Sequence, residues 1–263
     1  MKKAKSMRVA VGILALTLIT SCFVGGTFAK YTTKGEAADT ARVAAFGVQI
    51  NASGSLFNTQ YSTDDKTNPE DTEGNKITIS VNSSNDDKVV APGTTNTDKL
   101  TFGVTGTPEV AVQVKFAIAD GYTDVILPAG DYPDQTTNVA DKTFNLAKEY
   151  RPSRFTLAKD GAAVTGADKV TLPELMTVLN GLTENYAPNT NLANAIGSYT
   201  LTWEWVFENA IDGDTDYAIV DAADTYLGNL MNSKLANPTE FTAPAGVSLD
   251  VAFKMSISVT QID

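Results

Sequence analysis

Asp212-Gly213-Asp214-Thr215-Asp216 sets three carboxylates at alternate positions, the hard oxygen ligands that Ca²⁺ takes. The required glycine and late glutamate of an EF-hand loop are missing, and the commoner origin of such a cluster is a solvated turn. Asp64-Asp65 and Asn85-Asp86-Asp87 are weaker forms of the same signal. Trp203 and Trp205 fall on one face of a strand, where paired indoles can stack on sugar rings. Leu201 and Phe207 continue that stripe, however, and a continuous stripe is the pattern of a core. Ile19-Thr20-Ser21-Cys22 has the form of a lipobox, in which Cys22 would carry a diacylglyceryl group. The chain has no histidine, which removes Ser-His-Asp and Cys-His catalysis and His-ligated zinc together. Glu174, Glu184 and Glu204 are scattered singles rather than a carboxylate pair. No catalytic residue is assigned, and Ca²⁺ at Asp212, Asp214 and Asp216 is the one cofactor for which the sequence offers ligands.

The elements that would position these residues begin after an export signal. Lys2, Lys3, Lys5 and Arg8 form a basic n-region, and Val9 to Thr20 is an uncharged apolar run too short for a transmembrane helix. Thr27-Phe28-Ala29 places small residues at the −3 and −1 positions, so cleavage is expected between Ala29 and Lys30. No later run is long and apolar enough to span a bilayer. The mature chain is therefore expected to be secreted, to the cell surface or the extracellular matrix, without a transmembrane helix. Cys22 is the only cysteine, so the mature domain would rest on its hydrophobic core rather than on disulfides.

The formal net charge is −11, and loss of the four n-region cations leaves 16 Lys and Arg against 31 Asp and Glu, or −15. A surface this acidic argues against nucleic acid or anionic lipid as partner.

Period-two alternation dominates the rest. Ala44, Phe46, Val48 and Ile50 form one stripe. Others are Ile77, Ile79 and Val81, then Leu100 to Val104, then Val110 to Ile118. Leu201 to Phe207 and Leu249 to Val259 complete the set. Thr171-Leu172-Pro173-Glu174 reads as a helix start, with Leu175, Val178, Leu179 and Leu182 behind it at helical spacing. Tyr217 to Asn232 reads as a second helix whose end Gly228 obscures, and 189–196 as one short turn. The expected fold class is all-β, a jelly-roll-like antiparallel β-sandwich with short helical insertions. Residues 1–29 are the signal peptide and 30–263 one domain, with 30–42 a polar tether and 43–50 the first strand.

The segment Gly25-Gly26-Thr27-Phe28-Ala29-Lys30-Tyr31-Thr32, followed by Ala41-Arg42-Val43-Ala44-Ala45-Phe46-Gly47-Val48, resembles the N-termini of Gram-positive proteins cut by the SipW-type signal peptidase. That group includes the TasA/camelysin family of biofilm matrix proteins. Ala91-Pro92-Gly93 before Leu100-Thr101-Phe102 resembles the family's turn before a strand. Thr200 to Glu208 followed by Asp224-Thr225-Tyr226-Leu227-Gly228 resembles its Trp strand and DTxLG segment, and Val259 to Asp263 its closing strand. Residues 120–197 match nothing in it.

The resemblance implies a secreted structural protein of a biofilm matrix, and the missing histidine and the scattered carboxylates lead us to expect no enzymatic role. The resemblance also implies self-association into filaments, in which one subunit's N-terminal strand completes a neighbour's sheet. Val43, Ala44, Phe46, Val48 and Ile50 would be the donor strand, with backbone bonds giving affinity and alternate side chains giving fit. The same strand could instead pair within its own sheet. The alternatives are a monomeric or lipid-tethered surface module that binds through residues 120–197 and, more weakly, a camelysin-like metallopeptidase.

Overall fold

The computed structural model describes residues 42–63, 79–95, 99–137, 141–205 and 217–262. Residues Ala44–Asp263 form one compact unit. The chain is mostly β-strand in antiparallel sheets, with a few helices.

Strands β1 (Val48–Ser53), β4 (Thr94–Thr95), β5 (Leu100–Gly106), β9 (Arg154–Lys159), β10 (Ala162–Ala163) and β12 (Ser198–Trp205) make the largest sheet. Its order is β1-β5-β12-β9-β10, with β4 also paired to β12. A second sheet, β11-β6-β13, joins Thr183–Tyr186, Val112–Ile118 and Met255–Gln261. Two hairpins are separate: β2 (Gln60–Thr63) with β3 (Ile79–Asn82), and β7 (Gly130–Pro133) with β8 (Thr143–Leu146). Helices α1 (Leu172–Gly181), α2 (Leu192–Ile196) and α3 (Tyr217–Ala236) lie between strands.

Alternation builds the core. In β6, Val112, Val114, Phe116 and Ile118 are buried and the residues between them are not. In β12, Tyr199, Leu201, Trp203 and Trp205 are buried in the same way. Phe102 of β5, Phe116 of β6 and Tyr199 of β12 meet with ring centroids 5.1–5.9 Å apart, so the core joins the two larger sheets through aromatic contacts. The Trp203 indole N–H donates to the Leu56 carbonyl, which satisfies its one polar atom inside the core.

Helix α1 begins as expected: the Thr171 backbone N–H donates to Glu174 Oε2 at 2.8 Å, the reciprocal half of a capping box. Glu174 is thereby held below the usual carboxylate range by its bonds to Thr171. Helix α3 passes straight through Gly228 to Ala236: one glycine costs about 1 kcal/mol of helix propensity, which the buried face of Ala222, Ala223, Tyr226 and Leu227 offsets.

The structure departs from expectation at the C-terminal strand. The C-terminal strand begins at Met255, not Leu249. The stretch before it is drawn off into isolated bridges, Ala252 with Thr123 and Ser248 with Ile126, while Phe253 packs edge-on against Phe155 at 5.6 Å. Residues 120–197, which the family resemblance leaves unmatched, are part of the same sheets. They supply β9, which lies beside β12 within the main sheet, and β11, which pairs with β6.

Candidate functional site

The first strand begins at Val48 and ends at Ser53, so Val43, Ala44 and Phe46 precede it and the expected span of 43–50 is corrected. The cause is local. Gly47 has φ of 49° and Gly106 φ of 119°, and a Cβ on Gly106 would lie 2.0 Å from the Gly47 carbonyl oxygen. The two backbones cross too closely there for any side chain, and regular pairing starts beyond the crossing. Ahead of it, the Ala45 N–H donates to Glu109 Oε2 at 2.8 Å and the Glu109 N–H to the Ala45 carbonyl at 3.0 Å.

From Val48 onward the strand pairs with β5 of its own chain, from Val48 opposite Gly106 to Ser53 opposite Thr101. Asn51 Nδ2 donates to Thr105 Oγ1 at 3.0 Å. Gly54 closes the ladder at φ of 91°, where a Cβ would meet the Lys99 carbonyl oxygen at 2.0 Å. One glycine crossing at each end thus frames a six-residue ladder.

β1 is the edge of its sheet, and its side chains hold it weakly. Only Val48 is half-buried against the core; the other five residues of the strand are exposed. Ile50 lies opposite Val104, and cross-strand neighbours share a face. Val104 is buried, yet Ile50 is 46% exposed, so the core face of the sheet runs out under β1. Val43 at 92% and Phe46 at 42% extend this uncovered apolar run. Residues 43–53 carry no charge. Beside them lies an open groove of about 610 Å³, lined by β1 and β5 together with Asp160, Ala193, Gly197 and Ser198. Its one charged side chain, Asp160, accepts from the Ser198 N–H at 2.8 Å.

Other predicted positions have structural roles. Trp203 and Trp205 are buried and form no sugar platform. Glu174 caps α1, Glu184 accepts from the Tyr186 hydroxyl, and Glu204 pairs with Lys169 at 2.8 Å. Asn85 and Asp87 bond to each other at 2.7 Å in an exposed turn where Asp86 adopts φ of 63°. Cys22, Ala29, Lys30, Asp212, Asp214 and Asp216 lie outside the described residues. Among the described residues there is no cluster of three Cys, Asp or Glu side chains fit to hold a metal.

Two carboxylate sites escaped sequence reasoning. Asp124 is buried and takes Arg151 Nη1 on Oδ2 at 2.9 Å, while Oδ1 has no hydrogen-bond partner. Burial raises its pKa against the pull of Arg151. Asp224 on α3 accepts from the Tyr150 hydroxyl at 2.6 Å and from the Trp205 indole N–H at 3.3 Å. Burial pushes its carboxyl up to about 7. Asp224 and Trp205 stood in quoted motifs, but no spacing rule links either to Tyr150.

No family model matches this chain, and no curated protein or solved structure matches it.

Proposed function

We propose that this chain is an exported structural subunit of a cell-surface or biofilm matrix, which assembles into filaments by donating its N-terminal strand to the β5 edge of a neighbour. The observation that carries this reading is the state of β1: an edge strand held by backbone bonds, with Ile50, Phe46 and Val43 uncovered. A net backbone hydrogen bond is worth about 1 kcal/mol, and strand release exposes little that is not already wet. Exchange of identical strands leaves the ladder unchanged and brings two subunits together over the uncovered apolar run. Full burial of such a side chain from full exposure is worth about 1.5–3 kcal/mol, of which Phe46 and Ile50, already more than half covered, would gain roughly half. Head-to-tail donation does not close on itself, so it builds filaments.

The N-terminal resemblance to the TasA/camelysin group supports the same reading, with a SipW-type signal peptidase freeing the strand's tether between Ala29 and Lys30. The fold would be a jelly-roll-like sandwich of the two larger sheets, and the role would be non-enzymatic. Ca²⁺ at Asp212, Asp214 and Asp216 and a lipid on Cys22 are not needed by it. Deleting residues 30–42 from the mature chain tests the reading by electron microscopy of the assembled material. Loss of filaments is expected, and undiminished assembly would refute it.

One observation favours a second reading. β1 is paired at home, which is the state required of a monomeric surface module. Under the first reading this is the unassembled subunit, and assembly rises with concentration. Under the second, the protein stays monomeric at every concentration in sedimentation.

A further inference from the structure

Away from β1, an open cavity of about 450 Å³ lies where the chain enters β9 and α1 begins. Two pairs of backbone bonds build it. Tyr150 and Leu127 bond in both directions, at 2.8 and 3.0 Å, and anchor the segment before β9. Phe155 and Val170 do the same at 2.8 and 2.9 Å, which brings the first turn of α1 beside Arg154. Lys148, Arg151 and Arg154 line the cavity with Glu149 and Glu174. Cations thus outnumber carboxylates here, although acids outnumber bases by 31 to 20 in the whole chain.

The cations are held in place without being used up. Asp124, whose side chain is wholly buried, takes Arg151 Nη1 at 2.9 Å, and Glu149 takes Arg151 Nε at 2.5 Å. Arg154 Nη1 donates to the Arg151 carbonyl. Among the described residues, these bonds leave most N–H groups of both guanidiniums without a protein acceptor. Arg154 and Lys148 make no ion pair among the described residues. The carboxylates are half engaged in the same way. Glu149 gives Oε1 to Arg151, and Glu174 gives Oε2 to the Thr171 N–H and hydroxyl at 2.8 Å each, so the other oxygen of each is left to accept. Pro173 is the one apolar side chain in the lining, and no aromatic face lies there.

Oriented forks of N–H groups fit the edge of a carboxylate or the oxygens of a phosphate. Carboxylate oxygens with spare lone pairs beside them fit the hydroxyl groups of the same ligand. The volume falls in the range of small-molecule sites, well above that of a single inorganic ion. We propose that the cavity between Lys148, Arg154 and the start of α1 binds an acidic sugar unit, one that carries a carboxylate or a phosphate among its hydroxyl groups. The oxyanion lies against Arg154 and Lys148 with Arg151 beside it, and the hydroxyls donate to Glu149 and Glu174. The net negative charge of the chain disfavours anions at a distance, so recognition rests on these short-range bonds. The site is independent of strand donation and holds under either reading of the function.

Amide NMR of the chain from Lys30 onward, titrated with glucuronate, with glucose 1-phosphate and with uncharged glucose, tests the site. At least one of the two anions is expected to shift the amides of 148–154 and 171–174 saturably, and glucose is not. A response to glucuronate alone assigns the carboxylate source, and a response to glucose 1-phosphate alone assigns the phosphate source. Arg154→Gln is expected to weaken binding about tenfold or more, the loss of a charge-assisted bond. Lys148→Gln, at an exposed position, is expected to weaken it about threefold. No saturable shift from either anion, or an affinity unchanged in both variants, would overturn the proposal. Should Arg154→Gln not fold, Lys148→Gln alone decides.

Discussion

Glycines that meet backbone carbonyls decide where the first strand starts and stops. Gly106 and Gly54 both sit at positive φ with 2.0 Å between a hypothetical Cβ and the facing carbonyl oxygen. Gly106→Ala is expected to cost about 1–3 kcal/mol, through strain and through a ladder forced apart. Melting temperature, with hydrogen exchange of the β1 amides as the local readout, checks it. Gly228 makes the contrast, because it lies in α3 at an ordinary φ with open space around it. Gly228→Ala should add about 0.5–1 kcal/mol, the ordinary gain in helix propensity, without any effect on assembly. Neither outcome was legible in the sequence, where both residues appear only as Gly. A glycine reveals its role through what stands opposite, and that is set by chain segments some sixty residues apart for Gly106 and Gly47.

Among the elements, three core strands with a partner on both sides were legible from their alternation. β5, β6 and β12 follow their stripes, and the Thr171–Glu174 pair announced α1. β9, which also alternates between two partners, was missed because only Phe155 and Leu157 mark its stripe. The N-terminal strand was legible as a strand but not in its register, since alternation alone does not show where one face ceases to be covered. Ala44, Phe46, Val48 and Ile50 form the clearest short stripe near the N-terminus, yet only Val48 reaches the core. Tyr150, whose backbone pairs with Leu127, and Asp124 carry no periodic signal at all, so the carboxylate sites at Asp124 and Asp224 remained hidden. An edge element with exposed apolar side chains should tolerate charge at home. Phe46→Asp and Ile50→Asp are each expected to change subunit stability by less than about 0.5 kcal/mol. Both should abolish filaments, which sedimentation and electron microscopy would show. Loss of the fold instead would mean that these side chains pack within the subunit.

Over the whole molecule, opposing titrations set the working range. Asp134 is held to about 2 by Lys142 and Thr136, and Glu174 is lowered by Thr171. Groups lowered in this way contribute stability that is present above their unfolded values and lost as pH falls through their folded ones. Asp224 and Asp124, both raised by burial, act in the opposite sense. The melting temperature should therefore peak between about pH 4.5 and about pH 7, as a thermal scan against pH will show. The heavy negative charge opposes the close approach of two copies, so the proposed strand donation would draw on a local, uncharged contact, and residues 43–53 are such a stretch. Where that stretch pairs is the central claim. Gln49 and Thr105 lie opposite each other in the β1–β5 ladder. A mature chain from Lys30 onward contains no cysteine of its own. One batch carrying Gln49→Cys and another carrying Thr105→Cys, mixed, assembled and oxidised, would report the pairing directly. Strand donation predicts disulfide-linked pairs that join one variant to the other within filaments. Bridges that form only inside a single chain bearing both substitutions, at every concentration, would contradict it.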